Sequence, residues 1–88
     1  MKVHLIISGQ VQGVFFRRSA KTKADSLGIS GWIRNNKDGS VETVGVGEKS
    51  KLEEFAKWCK KGTVFANVLN VEENWADKND QFEEFSII

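Results

Sequence analysis

The stretch "GWIRNNKDGSVETVGV", Gly31 to Val46, reads as two strands folded back on one tight turn. Its first half, Gly31 to Asn35, is rich in strand-forming types. Asp38-Gly39 is a strong hairpin signal, because both residue types accept the backbone angles of a tight reversal. Ser40 to Val46 is then the return strand. A hairpin in mid-chain makes these two strands antiparallel neighbours, and the segments on either side decide what sheet they join.

Toward the N-terminus, Lys2 to Ser8 alternates, with Val3, Leu5 and Ile7 on one face and Lys2, His4 and Ser8 on the other. Ile6 is the apolar exception on the polar side of this half-buried strand. Phe16, Ala20, Ala24 and Leu27 then recur at helical spacing, giving an amphipathic helix of about three turns that ends at Gly28. Toward the C-terminus, Ser50 and Glu53 form a capping-box pattern ahead of a second stripe, Leu52, Phe55, Ala56 and Cys59, which closes at Gly62. "VLNVEENW" and "FEEFSII" are strands separated by the polar turn "ADKND", Ala76 to Asp80. The order strand, helix, strand, strand, helix, strand, with an additional C-terminal strand, predicts a ferredoxin-like βαββαβ fold of the α/β (α+β sandwich) class. Its sheet is expected to be antiparallel, with both helices on one face. The fold alone assigns no function.

Eighty-eight residues make one domain, 1–88, with no room for a second core. Thirteen basic and twelve acidic residues give a net charge of +1, which removes the electrostatic reason to expect nucleic-acid or membrane-surface binding. The single cysteine, Cys59, forms no internal disulfide, and the N-terminal run is too short and too polar for a signal peptide or a membrane span. A cytoplasmic monomer without cofactor or metal is expected.

Between the first strand and the first helix lies "SGQVQGVFFRRS", Ser8 to Ser19. Gly9 reads as the end of the strand, and Gly13 stands just before the helix. A loop that curls at a strand end into a helix N-terminus aims backbone N–H groups at one point, and the helix dipole strengthens the attraction for an anion. Arg17, in the first turn, adds a planar fork suited to phosphate oxygens. A tight turn followed by a solvated arginine fits the local pattern equally well. The loop is neither a Walker A sequence, since no Lys-Ser/Thr follows Gly13, nor a dinucleotide fingerprint, since the glycine spacing differs.

"GQVQGVFFR", followed at a short interval by "LGISGWIRNNKDGSVE", resembles the acylphosphatase family, whose signature is a G-x-V-Q-G-V-x-F-R loop and a G-W-V-x-N segment. The similarity runs on through "EFAKWCKKG" to the closing "FEEFSII", and so spans essentially the whole chain. It implies that Arg17 binds the substrate, that Asn35 orients the attacking water, and that the backbone of Gln12, Gly13, Val14, Phe15 and Phe16 cradles the phosphate. Family members often carry proline where this chain has Glu48 and Thr63, two loop positions away from both motifs.

The reaction implied is hydrolysis of a small acyl phosphate to carboxylate and inorganic phosphate. A carboxylate leaving group, with a conjugate acid of pKa about 4, needs no general acid. Phosphoryl transfer through a loose transition state asks chiefly for positioning and charge stabilisation, which amides and one guanidinium supply. An amide side chain such as that of Asn35 orients a water by accepting one of its protons and donating to a lone pair. The strand ending at Asn35 is expected to lie beside the first strand, which would bring Asn35 to the cradle. Taken on its own, Asn35 reads more readily as a residue leading into a turn than as a catalytic group.

His4 has no carboxylate or cysteine close to it in sequence and receives no role, while Cys59 falls on an apolar helix stripe as a small buried hydrophobe. Trp32 is expected to pack on the sheet and Trp58 to flank the second helix stripe. A non-catalytic phosphate-binding or regulatory module on the same fold is the alternative function; the presence of Asn35 beside an intact loop argues against it. An RNA-binding domain ranks lower, because the chain lacks tyrosine and a basic surface.

Overall fold

The computed structural model describes residues 1–78 and 80–88. Strand β1 (Lys2–Gln10) leads through a loop to helix α1 (Phe16–Ser26), followed by β2 (Ser30–Asn35) and β3 (Val41–Val46). Helix α2 (Lys49–Lys61), β4 (Asn67–Ala76) and β5 (Phe85–Ile87) complete the order. Part of the polar turn expected over Ala76 to Asp80 lies outside the described residues, at Asn79.

The five strands form one sheet in the order β4-β1-β3-β2-β5. β1 pairs antiparallel with β3 and β4, and β2 pairs antiparallel with β3. The expectation of a wholly antiparallel sheet is corrected at one edge: β5 runs parallel to β2, with Gly31 opposite Phe85 and Ile33 opposite Ile87. The chain reverses after β4 and crosses to the far edge, so it arrives travelling in the direction of β2. The expected neighbourhood of the first two strands is also corrected, since β3 lies between β1 and β2.

Period-two alternation places Val3, Leu5, Ile7, Ile33, Val41 and Phe85 under the helices, all of them buried. The helix stripes meet them with Phe16, Ala20 and Ala24 from α1 and Leu52, Phe55, Ala56 and Cys59 from α2. Phe55 and Phe85 close the layer with ring centroids 5.6 Å apart, edge to face. Trp58 stacks at the rim against Phe16, 5.3 Å away. Both helices end as read, at Gly28 (φ 69°) and Gly62 (φ 71°), where a glycine at positive φ stops the helix. The capping box does not form: Glu48 is the N-cap of α2, and Ser50 sits inside the first turn without a side-chain cap bond.

The first strand also continues past its expected end at Gly9, to Gln10. Gly9 lies within β1, at a register shift against β4, and a Cβ there would stand 2.1 Å from the Asn67 carbonyl oxygen. Glycine is therefore required at position 9 by the close passage of β4 rather than by a strand ending.

Candidate active site

Residues 11–15 carry the chain from the end of β1 to the first turn of α1. Val11 is buried and anchors the near end of the loop, and Phe16 plugs the far end into the core. Between them the backbone takes positive φ twice, at Gly13 (73°) and at Phe15 (63°, ψ 19°). Phe15 is the N-cap of α1, and its carbonyl accepts the first helical bond from Ser19 N–H at 3.0 Å. Left-handed turns immediately before a helix are the curvature that gathers successive N–H groups on one side. At Gly13 a Cβ would meet no other atom within 4 Å, so its backbone angle, and not crowding within the protein, calls for glycine.

Two side chains hold this loop in place. Gln12 Nε2 donates to the carbonyls of Asn36 (2.8 Å) and Ser40 (2.9 Å), the two ends of the β2–β3 turn. Thr63 Oγ1 donates to the Val14 carbonyl at 2.9 Å. Thr63, just after α2, thus contributes a hydrogen bond to the loop. Neither tie is visible in local sequence pattern, because each joins positions more than twenty residues apart.

The loop opens on a cleft of about 340 Å³ lined by Val11, Gly13, Phe15, Phe16, Arg17, Arg18 and Ile87. Arg17 is half-buried in its wall while Arg18 is exposed. Among the described residues, the Arg17 guanidinium has no hydrogen-bond or ion-pair partner. A larger cleft, about 500 Å³, lies between α2 and β4, away from the loop, and its Lys60 is ion-paired with Glu73.

Asn35 reaches this end of the sheet through β3. It stands opposite Val41, and Val41 stands opposite Ile7. The three residues are therefore level across the sheet, and alternation turns Asn35 toward the helix-covered face that Ile7 and Ile33 share. Its carboxamide Oδ1 is buried and accepts no hydrogen bond from the described residues. Asn35 is not among the residues that line the Arg17 cleft; the loop and the Asn35 hairpin are joined instead by the Gln12 bonds to Asn36 and Ser40.

The adjacent turn is well fastened. Asp38 accepts from the Ser40 hydroxyl (2.6 Å) and the Ser40 N–H (2.9 Å), and these bonds hold its carboxyl below the ordinary range. Asn36 N–H donates to the Ser40 carbonyl at 2.8 Å across the turn. The Cys59 thiol is pushed well up by burial, far from the range of a nucleophile. Among the described residues, no group of three or more His, Cys, Asp or Glu is placed to hold a metal ion. None of their helices is long and apolar enough to cross a membrane.

The acylphosphatase family model matches residues 3–87. An acylphosphatase of Pelotomaculum thermopropionicum is 42% identical over 86 residues, covering 98% of this chain and 94% of that protein. One from Roseiflexus sp. is 44% identical over 87 residues, with 99% and 94% covered. Among solved structures, an acylphosphatase from Bacillus subtilis superposes with a TM-score of 0.95 at 31% identity, covering 99% of this chain and 97% of the other. A Coxiella burnetii acylphosphatase gives 0.93 at 34% identity, covering 99% and 90%. Matched from the first strand to the last in both sequence and shape, the chain belongs to the acylphosphatase family.

Proposed function

We propose that residues 1–88 act as one domain that hydrolyses small acyl phosphates, without a metal ion, to a carboxylate and inorganic phosphate. The backbone N–H groups of Gln12 through Phe16 hold the phosphoryl oxygens, and the Arg17 guanidinium closes the cradle with two parallel N–H donors. Asn35 orients a water in line with the scissile bond. The water oxygen bonds to phosphorus, the bond from phosphorus to the acyl oxygen breaks, and the carboxylate departs with the electron pair. The water's proton passes to a phosphoryl oxygen, so no protein base is needed. The weak basicity of the leaving carboxylate makes a general acid unnecessary as well.

The observation that carries this reading is the buried, unpartnered Oδ1 of Asn35. A buried acceptor left without a donor costs about 1–3 kcal/mol, and such groups are rare unless function retains them. Closed off from solvent in this conformation, Oδ1 becomes the acceptor for a water proton once the carboxamide turns toward the cleft. The unpaired Arg17 in the cleft wall agrees with it. We take the protein to work as a cytoplasmic monomer on a small-molecule substrate, with no nucleic-acid partner.

The test is phosphate release from acetyl phosphate by the purified chain in excess chelator. Turnover in chelator is the expected result. Activity that disappears on chelation and returns with a divalent ion would overturn the metal-free mechanism.

A further inference from the structure

Beside the phosphate loop the surface is apolar in a place where turns are ordinarily polar. Residues 63–66 form a turn closed by Ala66 N–H on the Thr63 carbonyl at 3.1 Å. Its two central residues are Val64, 93% exposed, and Phe65, 67% exposed. The Phe65 ring meets Phe15, itself 63% exposed, with centroids 6.2 Å apart. Thr63 Oγ1 fastens this turn to the loop through the Val14 carbonyl. The exposed Ile87 lines the same cleft as Phe15 and Arg17.

Phe15 carries a second, independent sign. A bulky residue at positive φ is a backbone outlier, and such strain of about 1–3 kcal/mol persists where the surroundings impose it. Here the strained conformation places the residue's N–H in the loop and its ring outside the core.

Resting on the function proposed above, we infer that the Phe15–Phe65 pair, with Ile87, is the acyl-group subsite, and that it favours aromatic and branched apolar acyl phosphates over small ones. The acyl carbon is joined to phosphorus through one bridging oxygen. Once the cradle holds the phosphoryl group, the acyl group has to lie against the cleft mouth, where Phe15 and Ile87 are the apolar surfaces. Phe65 widens that surface into a tilted aromatic platform. Flat apolar acyl groups gain both area and ring contact there, whereas an acetyl group is too small to reach Phe65.

The experiment compares kcat/KM for benzoyl phosphate and acetyl phosphate in the parent, Phe65→Ser and Phe65→Tyr, with melting curves for all three. Phe65→Ser is expected to lower the benzoyl-to-acetyl ratio about 5-fold, the size of one lost aromatic contact. The loss should appear chiefly in KM, because the acyl contact is made equally in ground and transition states. Phe65→Tyr keeps the ring and should keep the ratio. A folded Phe65→Ser protein with the parental ratio would overturn the subsite. If, in addition, sedimentation showed the parent self-associating and Phe65→Ser monomeric, the patch would be an interface between copies of this chain instead. Parental hydrolysis of neither compound would sink the proposed function itself, and the subsite with it.

Discussion

On the open face of the sheet, His4 Nε2 donates to Glu42 at 2.5 Å, Arg34 Nη2 donates to the same carboxylate at 2.9 Å, and the Arg34 guanidinium lies 5.0 Å over the Trp32 ring. At the loop end of the helix-covered face, Arg17 has no partner among the described residues and the Asn35 Oδ1 is buried without a donor. Each region contains an arginine and a polar side chain on the same face of the sheet or at its end. In the first, the polar groups are paired with one another within the protein, so the cluster serves the sheet. In the second, the donor fork and the acceptor are both unspent, and the backbone between β1 and α1 is strained at Phe15. Unsatisfied polar groups held beside a strained loop are what a binding site retains at some cost in stability.

The largest effect should follow from removing the unspent charge. Arg17→Ala is expected to lower kcat/KM for an acyl phosphate by about 10³-fold, as for other groups that stabilise developing charge. It should also weaken inorganic phosphate as a competitive inhibitor. Arg17→Lys should recover little, because a point charge lacks the planar fork. Steady-state kinetics with phosphate inhibition checks both, and Arg34→Ala is the control that should leave turnover at the parental level.

A smaller effect separates Gly9, in β1, from Gly13, in the loop. Gly9→Ala forces a Cβ into the Asn67 carbonyl and should cost about 3 kcal/mol or more, adding overpacking to backbone strain. Gly13→Ala meets open space and should cost only about 1 kcal/mol, from its positive φ. Denaturant titration of the two variants measures the difference. Equal losses would contradict the separate roles assigned to them.

The smallest effect lies on the paired face. The hydrogen bond from His4, and secondarily that from Arg34, holds the Glu42 carboxyl below its ordinary value of 4.5, against the opposing effect of burial. A lowered folded pKa means that this stabilisation is complete above about 4.5 and is lost as pH falls through the lower folded value. Glu42→Gln should cost about 1 kcal/mol near neutrality and flatten that part of the acid limb. Thermal melts from pH 7 to pH 3 would show it, and an unchanged acid limb would mean that the pair contributes nothing measurable.

The strands, helices and hairpin were largely legible because alternation, helical stripes and Asp38-Gly39 are local signals. The strand neighbours were less so. Placing β3 between β1 and β2 is a tertiary outcome of two crossovers, and the direction of β5 depends on where the chain crosses the sheet. His4 seemed isolated because its carboxylate stands 38 residues away. The Ser50 pattern mimicked a cap, but α2 begins at Lys49, ahead of it. At the site, Arg17 and Asn35 were marked by motif, while the side-chain ties of Gln12 and Thr63 were hidden by their range. The left-handed Phe15 could not be foreseen, since aromatic residues disfavour that conformation.

We propose that the Asn35 carboxamide serves catalysis at no benefit to the fold, and Asn35→Ala separates that role from a structural one. Kinetics, phosphate inhibition and denaturant unfolding are measured on the same preparation. A fall in kcat of about 10²-fold is expected, with phosphate affinity retained. Stability should stay within about 0.5 kcal/mol of the parent, because removing a desolvated, unpartnered oxygen offsets the packing lost. A variant that turns over at the parental rate but loses 1.5 kcal/mol or more of stability, of the order of one buried hydrogen bond, would show instead that Asn35 is a structural amide.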